Sequence, residues 1–126
     1  MSALRITQVG TVGVPVRDQE RALAFYRDKL GFEVRLDAPF REGERWIEVA
    51  PAGAATTIAL VLAPAGQPAG VDTGVRLSTQ DAKADHAQLL ALGVDADAEV
   101  MDMGGGVPPM FLLRDPDGNS LVIVER

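Results

Sequence analysis

The chain has no cysteine, which excludes disulfides, thiolate metal sites and a thiol nucleophile. It has no long apolar run either. The longest, residues 58–64, is far too short to span a bilayer. Residues 1–10 lack the basic start and apolar stretch of a secretory leader, so a soluble cytoplasmic protein is expected. Positive charge is scarce: 12 Lys and Arg stand against 18 Asp and Glu, a net charge of −6. Such a surface repels phosphate backbones, so neither nucleic acid nor an anionic membrane is expected as a partner. The same field favours a cationic ligand, though weakly at cellular ionic strength. What is present is ordinary globular material. The 126 residues are 47% hydrophobic and 24% charged, enough for one domain spanning 1–126 with a real core.

Two segments carry helix punctuation. Asp18 can cap a helix ending at Gly31, with Glu20 in its first turn and Arg27 and Lys29 in its last. Ala22, Leu23, Tyr26 and Leu30 recur at helical spacing and form its expected buried stripe. Asp81 can cap a second helix through Leu92, stopped by Gly93. The two caps lie half a chain apart, and each helix sits in the same context. A strand precedes each one, at 6–16 and at 73–79. Three strands follow the first helix. Phe32, Val34 and Leu36 alternate with Glu33, Arg35 and Asp37 as a half-buried strand, before strands at 44–50 and 56–62. After the second helix, Val94, Ala96, Ala98 and Val100 alternate with Asp95, Asp97 and Glu99, the latter read as a solvated face. Strands at 110–114 and 120–125 then flank the turn Asp115-Pro-Asp-Gly-Asn119. The pattern is βαβββ twice. Module one covers about 5–63, a Pro/Gly/Ala connector about 64–71, and module two about 72–126. An α+β fold with largely antiparallel pairing is expected.

At this point the sequence resembles a known family. Val16-Arg-Asp-Gln-Glu-Arg-Ala-Leu-Ala-Phe-Tyr-Arg-Asp-Lys-Leu-Gly-Phe32 is similar to the first-helix signature of the vicinal oxygen chelate superfamily, the glyoxalase/bleomycin-resistance fold. Asp115-Pro-Asp-Gly-Asn119 before an apolar strand resembles its closing hairpin. The likeness runs in order over nearly the whole chain. It implies that two modules curl into cupped mixed sheets around a cavity, often completed by a homodimer.

The resemblance also implies four metal-ligand positions, which fall here on Thr11, Ala59, Gly74 and Val122. Divalent metals in such sites need imidazole or carboxylate donors, and none of these four side chains supplies one. Sliding the register by one residue does not repair the set. No metal and no other cofactor is therefore expected. The metal-dependent chemistry of the family would lose its Lewis acid and its base. Metal-free relatives of the bleomycin-resistance type bind drugs without turning them over.

Individual residues leave alternatives open. His86, the sole histidine, is either a base or a structural histidine beside the apolar side of the second helix. Arg76 lies two residues after Gly74 and shares its face, with Ser78 near the rim. It is either a contact for an anionic or carbonyl-bearing ligand or an ion-pair partner of Glu48. Trp46, the sole tryptophan, shares a strand face with Glu48. It either stacks on a planar ligand or anchors the core. Glu48, if it faces the cup, is the best remaining candidate base. Met101, Met103 and Met110 flank a triple glycine and either line an adaptable pocket or belong to an ordinary hairpin loop. The leading expectation is a metal-free protein that binds a small organic, planar or aromatic ligand. Its contact set is Thr11, Trp46, Glu48, Ala59, Arg76, Met101, Met103, Met110 and Val122. One rival is a glyoxalase-like lyase, isomerase or dioxygenase-type enzyme using Glu48 or His86. Another is a metal enzyme built on Gln8, Glu48 and His86, and a third is an interaction module.

Overall fold

The computed structural model describes residues 3–126. Eight strands form two four-stranded mixed sheets. The first contains β1 (Thr11–Val16), β2 (Glu33–Arg41), β3 (Glu44–Ala50) and β4 (Thr57–Leu62), in the order β1-β4-β3-β2. The second contains β5 (Asp72–Thr79), β6 (Asp95–Ala96), β7 (Met110–Arg114) and β8 (Ser120–Glu125), in the order β5-β8-β7-β6. In each sheet the strand before the helix lies parallel to the last strand of its module, and the other pairs are antiparallel. The two βαβββ modules are thus both present.

Both expected helix caps form. Asp18 accepts from the Arg21 amide and Asp81 from the Ala84 amide, each at 3.0 Å, which satisfies amides that have no partner within the helix. Helix α1 (Gln19–Ala24) continues as a π-helical turn over Phe25–Lys29. The extra residue in that turn points Phe25 and Tyr26 inward together. The buried stripe is therefore Ala22, Leu23, Phe25 and Tyr26, with Leu30 only partly covered. Helix α2 (Ala82–Ala91) packs on β6, β7 and β8, while α1 packs on β3 and β4.

One face of each sheet feeds a single shared core. Val14, Val16, Ile47, Val49, Ile58 and Leu60 come from the first sheet. Phe111, Leu113, Leu121 and Ile123 come from the second. Burying this many large apolar side chains supplies the main stabilising term. The modules are also joined by hydrogen bonds through the Asp115–Asn119 turn. Tyr26 Oη donates to Asp115 Oδ2 at 2.9 Å, and both residues are buried. Asn119, fully buried, accepts from the Gly70 and Val71 amides and donates to Pro15 O and Asp115 Oδ2. The closing motif is therefore the seam between modules as well as a turn.

Four expectations need correction. The first strand begins at Thr11, and Leu4, Ile6 and Val9 stay exposed outside any strand. The alternation 94–100 yields only a two-residue β6, because Asp97 turns its side chain to the Leu112 amide and the Arg114 guanidinium. Asp95 also pairs with Arg114, at 3.2 Å, so this acidic run is an ion-pair cluster and not simply a solvated face. Val34 and Leu36 are exposed, unlike Phe32: a register shift in the edge strand β2 sets Val34 opposite Val49 but Leu36 opposite Glu48, so the expected single buried row is broken.

Candidate ligand-binding faces

Side chains alternate along a strand, so burying Val14, Ile47, Val49 and Leu60 on the core face forces their neighbours outward. On the first sheet the outward set is Thr11, Gly13, Leu36, Trp46, Glu48, Ala59 and Val61. Strand register sets Leu36 against Glu48, Glu48 against Ala59, and Ala59 against Gly13, one continuous row across the sheet. Trp46 is 38% exposed, Leu36 43%, Val61 41% and Phe40 46%. The Phe40 and Trp46 rings meet edge-on with centroids 5.2 Å apart. On the second sheet Leu112, Val122 and Arg76 form one row, and Met110, Val124 and Ser78 the next.

Glu48 is held in place at the centre of the first face. The Trp46 indole Nε1–H donates to one carboxylate oxygen and the Thr57 hydroxyl to the other, each at 2.7 Å. The Trp46 bond, then the Thr57 bond, hold this carboxyl below its ordinary range against the opposing effect of desolvation. A carboxylate so stabilised is a fixed anionic acceptor and a weakened proton acceptor, which counts against Glu48 as a general base. Trp46 lies on the open face and so is not a core anchor.

Arg76 is exposed on the second open face and donates to Gly74 O at 3.0 Å. It makes no ion pair with Glu48, which sits on the other sheet, and that alternative falls away. Gly74 occupies a bulge, since Asp72 to Arg76 faces only Ser120 to Val122, and its φ of +71° suits glycine. His86 lies away from both faces. Its Nε2 bonds the Asp97 carbonyl at 2.7 Å, and its ring meets the buried Phe111 edge-on with centroids 4.9 Å apart. A carbonyl only accepts, so Nε2 carries a proton, and the residue is structural. Met110 lies in the second face, bridged to Met101, while Met103 is 65% exposed in the glycine loop.

The structure thus brings Thr11, Trp46, Glu48 and Ala59 together on one face, and Arg76, Met110 and Val122 on the other. Leu36, Phe40, Thr57 and Val61 were missed. Counting by twos from Ala59 reaches Thr57 and Val61, but Leu36 and Phe40 join only through the pairing of β2 with β3. Neither face is closed within one chain. A concavity of about 250 Å3 lies elsewhere, between the modules, and none of the expected contact residues lines it.

The donor set at Thr11, Ala59, Gly74 and Val122 does not fit a divalent metal. These side chains offer one hydroxyl, and Thr11 already donates it to Thr57 O. Among the described residues no three of His, Asp and Glu are placed to hold a metal ion. Glu48 bonds Trp46 and Thr57 on the first sheet while His86 bonds Asp97 and packs on Phe111 in the second module, so the set with Gln8 does not converge on one site.

Two facing-out sheets of βαβββ topology define a glyoxalase-type scaffold, and comparison with known proteins agrees. The chain belongs to the Glyoxalase/Bleomycin resistance protein/Dioxygenase superfamily, whose model matches residues 8–123. It is 32% identical over 123 residues to the protein YetH of Bacillus subtilis (strain 168), covering 95% of this chain and 99% of YetH. It is similar to the crystal structure of TnmS3, an antibiotic binding protein from Streptomyces sp. CB03234. The TM-score is 0.83 at 36% identity, over 97% of this chain and 98% of that one. A superfamily member from Sphaerobacter thermophilus DSM 20745 matches with a TM-score of 0.89 at 34% identity, over 98% and 100% of the two chains.

Proposed function

We propose that this protein binds a planar organic molecule on its open sheet faces without turnover, and that a second copy of the chain closes the site. The observation that carries this reading is the exposure of Leu36, Phe40, Trp46 and Val61 on one open sheet face. Contiguous apolar surface of this kind marks a ligand or protein contact. The depressed carboxyl of Glu48 and the structural role of His86 leave neither suited to move a proton. The likeness to TnmS3, an antibiotic binding protein, supports the ligand class. Homodimer closure accounts for faces that one chain leaves open.

The sole tryptophan lies on the proposed wall, so its emission reports binding directly. Titration with planar aromatic compounds is expected to change Trp46 emission with dissociation constants tighter than about 1 mM, and light scattering is expected to give a dimer. A monomer with no response to any such compound, or consumption of the compound, overturns the reading.

A further inference from the structure

We infer that the first open face recognises a cationic nitrogen carried on a planar body, with Glu48 as its counter-charge and Trp46 as its stacking platform. The inference rests on the proposed binding function and names the chemistry of its ligand.

The argument begins with unmatched charge. The arginines of the first sheet are already paired: Arg35 with Glu33, Arg41 with Glu44, and Arg45 with both Asp37 and Glu20. Glu48 has two hydrogen bonds from neutral donors and, among the described residues, no ion-pair partner. Each of its oxygens accepts one bond, and a carboxylate oxygen has lone pairs for two. The free lone pairs sit among the exposed side chains of Leu36, Trp46 and Val61, with the Thr57 hydroxyl already donated to Glu48 and the Thr11 hydroxyl to Thr57 O. A charge covered by ligand in such surroundings is costly unless the ligand brings the opposite charge.

The aromatic geometry favours the same guest. The Trp46 N–H is turned to Glu48, and Phe40 meets the Trp46 ring edge-on at 5.2 Å. Indole faces attract cations, so a charged planar ring gains from Trp46 and Glu48 together. A neutral planar ring gains only the stacking. A carboxylated one meets repulsion from Glu48. The net charge of −6 adds a long-range bias of the same sign, but salt screens that bias and does not screen a covered contact as strongly.

The experiment uses calorimetry on the full chain with three matched probes at neutral pH: aminoacridine as a cation, acridine as the neutral ring, and an acridine carboxylate. Wild type is expected to bind the cation at least about tenfold tighter than the neutral ring and the carboxylate weakest, a gap of about 1.4 kcal/mol. In Glu48→Gln the amide oxygen can still accept from Trp46 while the amide NH2 donates to the Thr57 hydroxyl, so both contacts survive, the second with its direction reversed, and the charge is lost. This variant is expected to abolish the discrimination, bringing the cation within about twofold of acridine at low and high salt alike. Equal binding of cation and neutral ring by wild type overturns the inference and leaves the binding function standing. So does a preference that survives in Glu48→Gln and vanishes with salt, which assigns it to net charge. Failure of all three probes overturns the binding function itself, and this inference with it.

Discussion

Tyr26 is the only tyrosine in the chain, it is fully buried, and its hydroxyl donates to a buried carboxylate across the module seam. Tyr26→Phe removes that one atom. Asp115 Oδ2 still accepts from Asn119, and Oδ1 from two backbone amides, so no carboxylate oxygen is stranded. The loss at neutral pH is therefore that of one hydrogen bond to a charged group, about 1.5 kcal/mol. That corresponds to a melting temperature lower by about 6 °C for a chain of this size.

The alkaline limb carries the stronger test. Burial, then the neighbouring Asp115 charge and its hydrogen bond, push the Tyr26 phenol far above its ordinary value of 10.0. In the unfolded chain the phenol ionises near pH 10, whereas the folded chain keeps its proton. Above that pH the unfolded state binds fewer protons, so stability falls as pH rises. The contribution is complete below pH 10 and declines by about 1.4 kcal/mol per unit above it. By about pH 11 that loss equals the hydrogen-bond gain, so denaturant midpoints of wild type and Tyr26→Phe should cross there. Lysines and arginines titrate in both proteins and cancel. Near-ultraviolet phenolate absorbance should stay flat in folded wild type and rise only with unfolding. A phenolate signal near pH 10 in the folded protein, or parallel stability curves for the two proteins, refutes the reasoning.

Three further outcomes follow from the same coordinates. Asn119→Ala removes four hydrogen bonds made by a fully buried side chain at the seam, so denaturant unfolding should show a loss of about 2–4 kcal/mol. Gly70→Ala places a Cβ 2.7 Å from the Asp117 carbonyl oxygen at a φ of +80°, and the melting temperature should fall by an amount equivalent to about 1–3 kcal/mol. His86→Ala should cost roughly 1 kcal/mol through the lost Asp97 bond and the lost Phe111 contact while leaving Trp46-detected ligand affinity unchanged. A weaker affinity in that variant would return His86 to the ligand site.

Local order was legible because local chemistry specifies it. Asp18 and Asp81 cap helices with their own side chains, and the strands β7 and β8 follow from apolar runs bounded by a Pro/Gly turn. The repetition of that order in the two halves, with the first-helix and closing-hairpin motifs, was enough to specify two βαβββ modules and their family. That Thr11, Ala59, Gly74 and Val122 carry no imidazole or carboxylate was legible too, since it is a property of the residue types in any conformation. What needed tertiary structure was everything set by pairing across strands. The π-helical turn that buries Phe25 beside Tyr26 leaves no mark in residue spacing. Asp97 abandoned its strand because Arg114, distant in sequence, offered a stronger partner for its side chain. Glu48 became a fixed acceptor only because β3 and β4 set Thr57 beside it, and Leu36 and Phe40 joined its wall only through β2. Strand alternation declares two faces, but which face a shared core covers is decided by packing between modules, and that choice left Trp46 and Glu48 in the open.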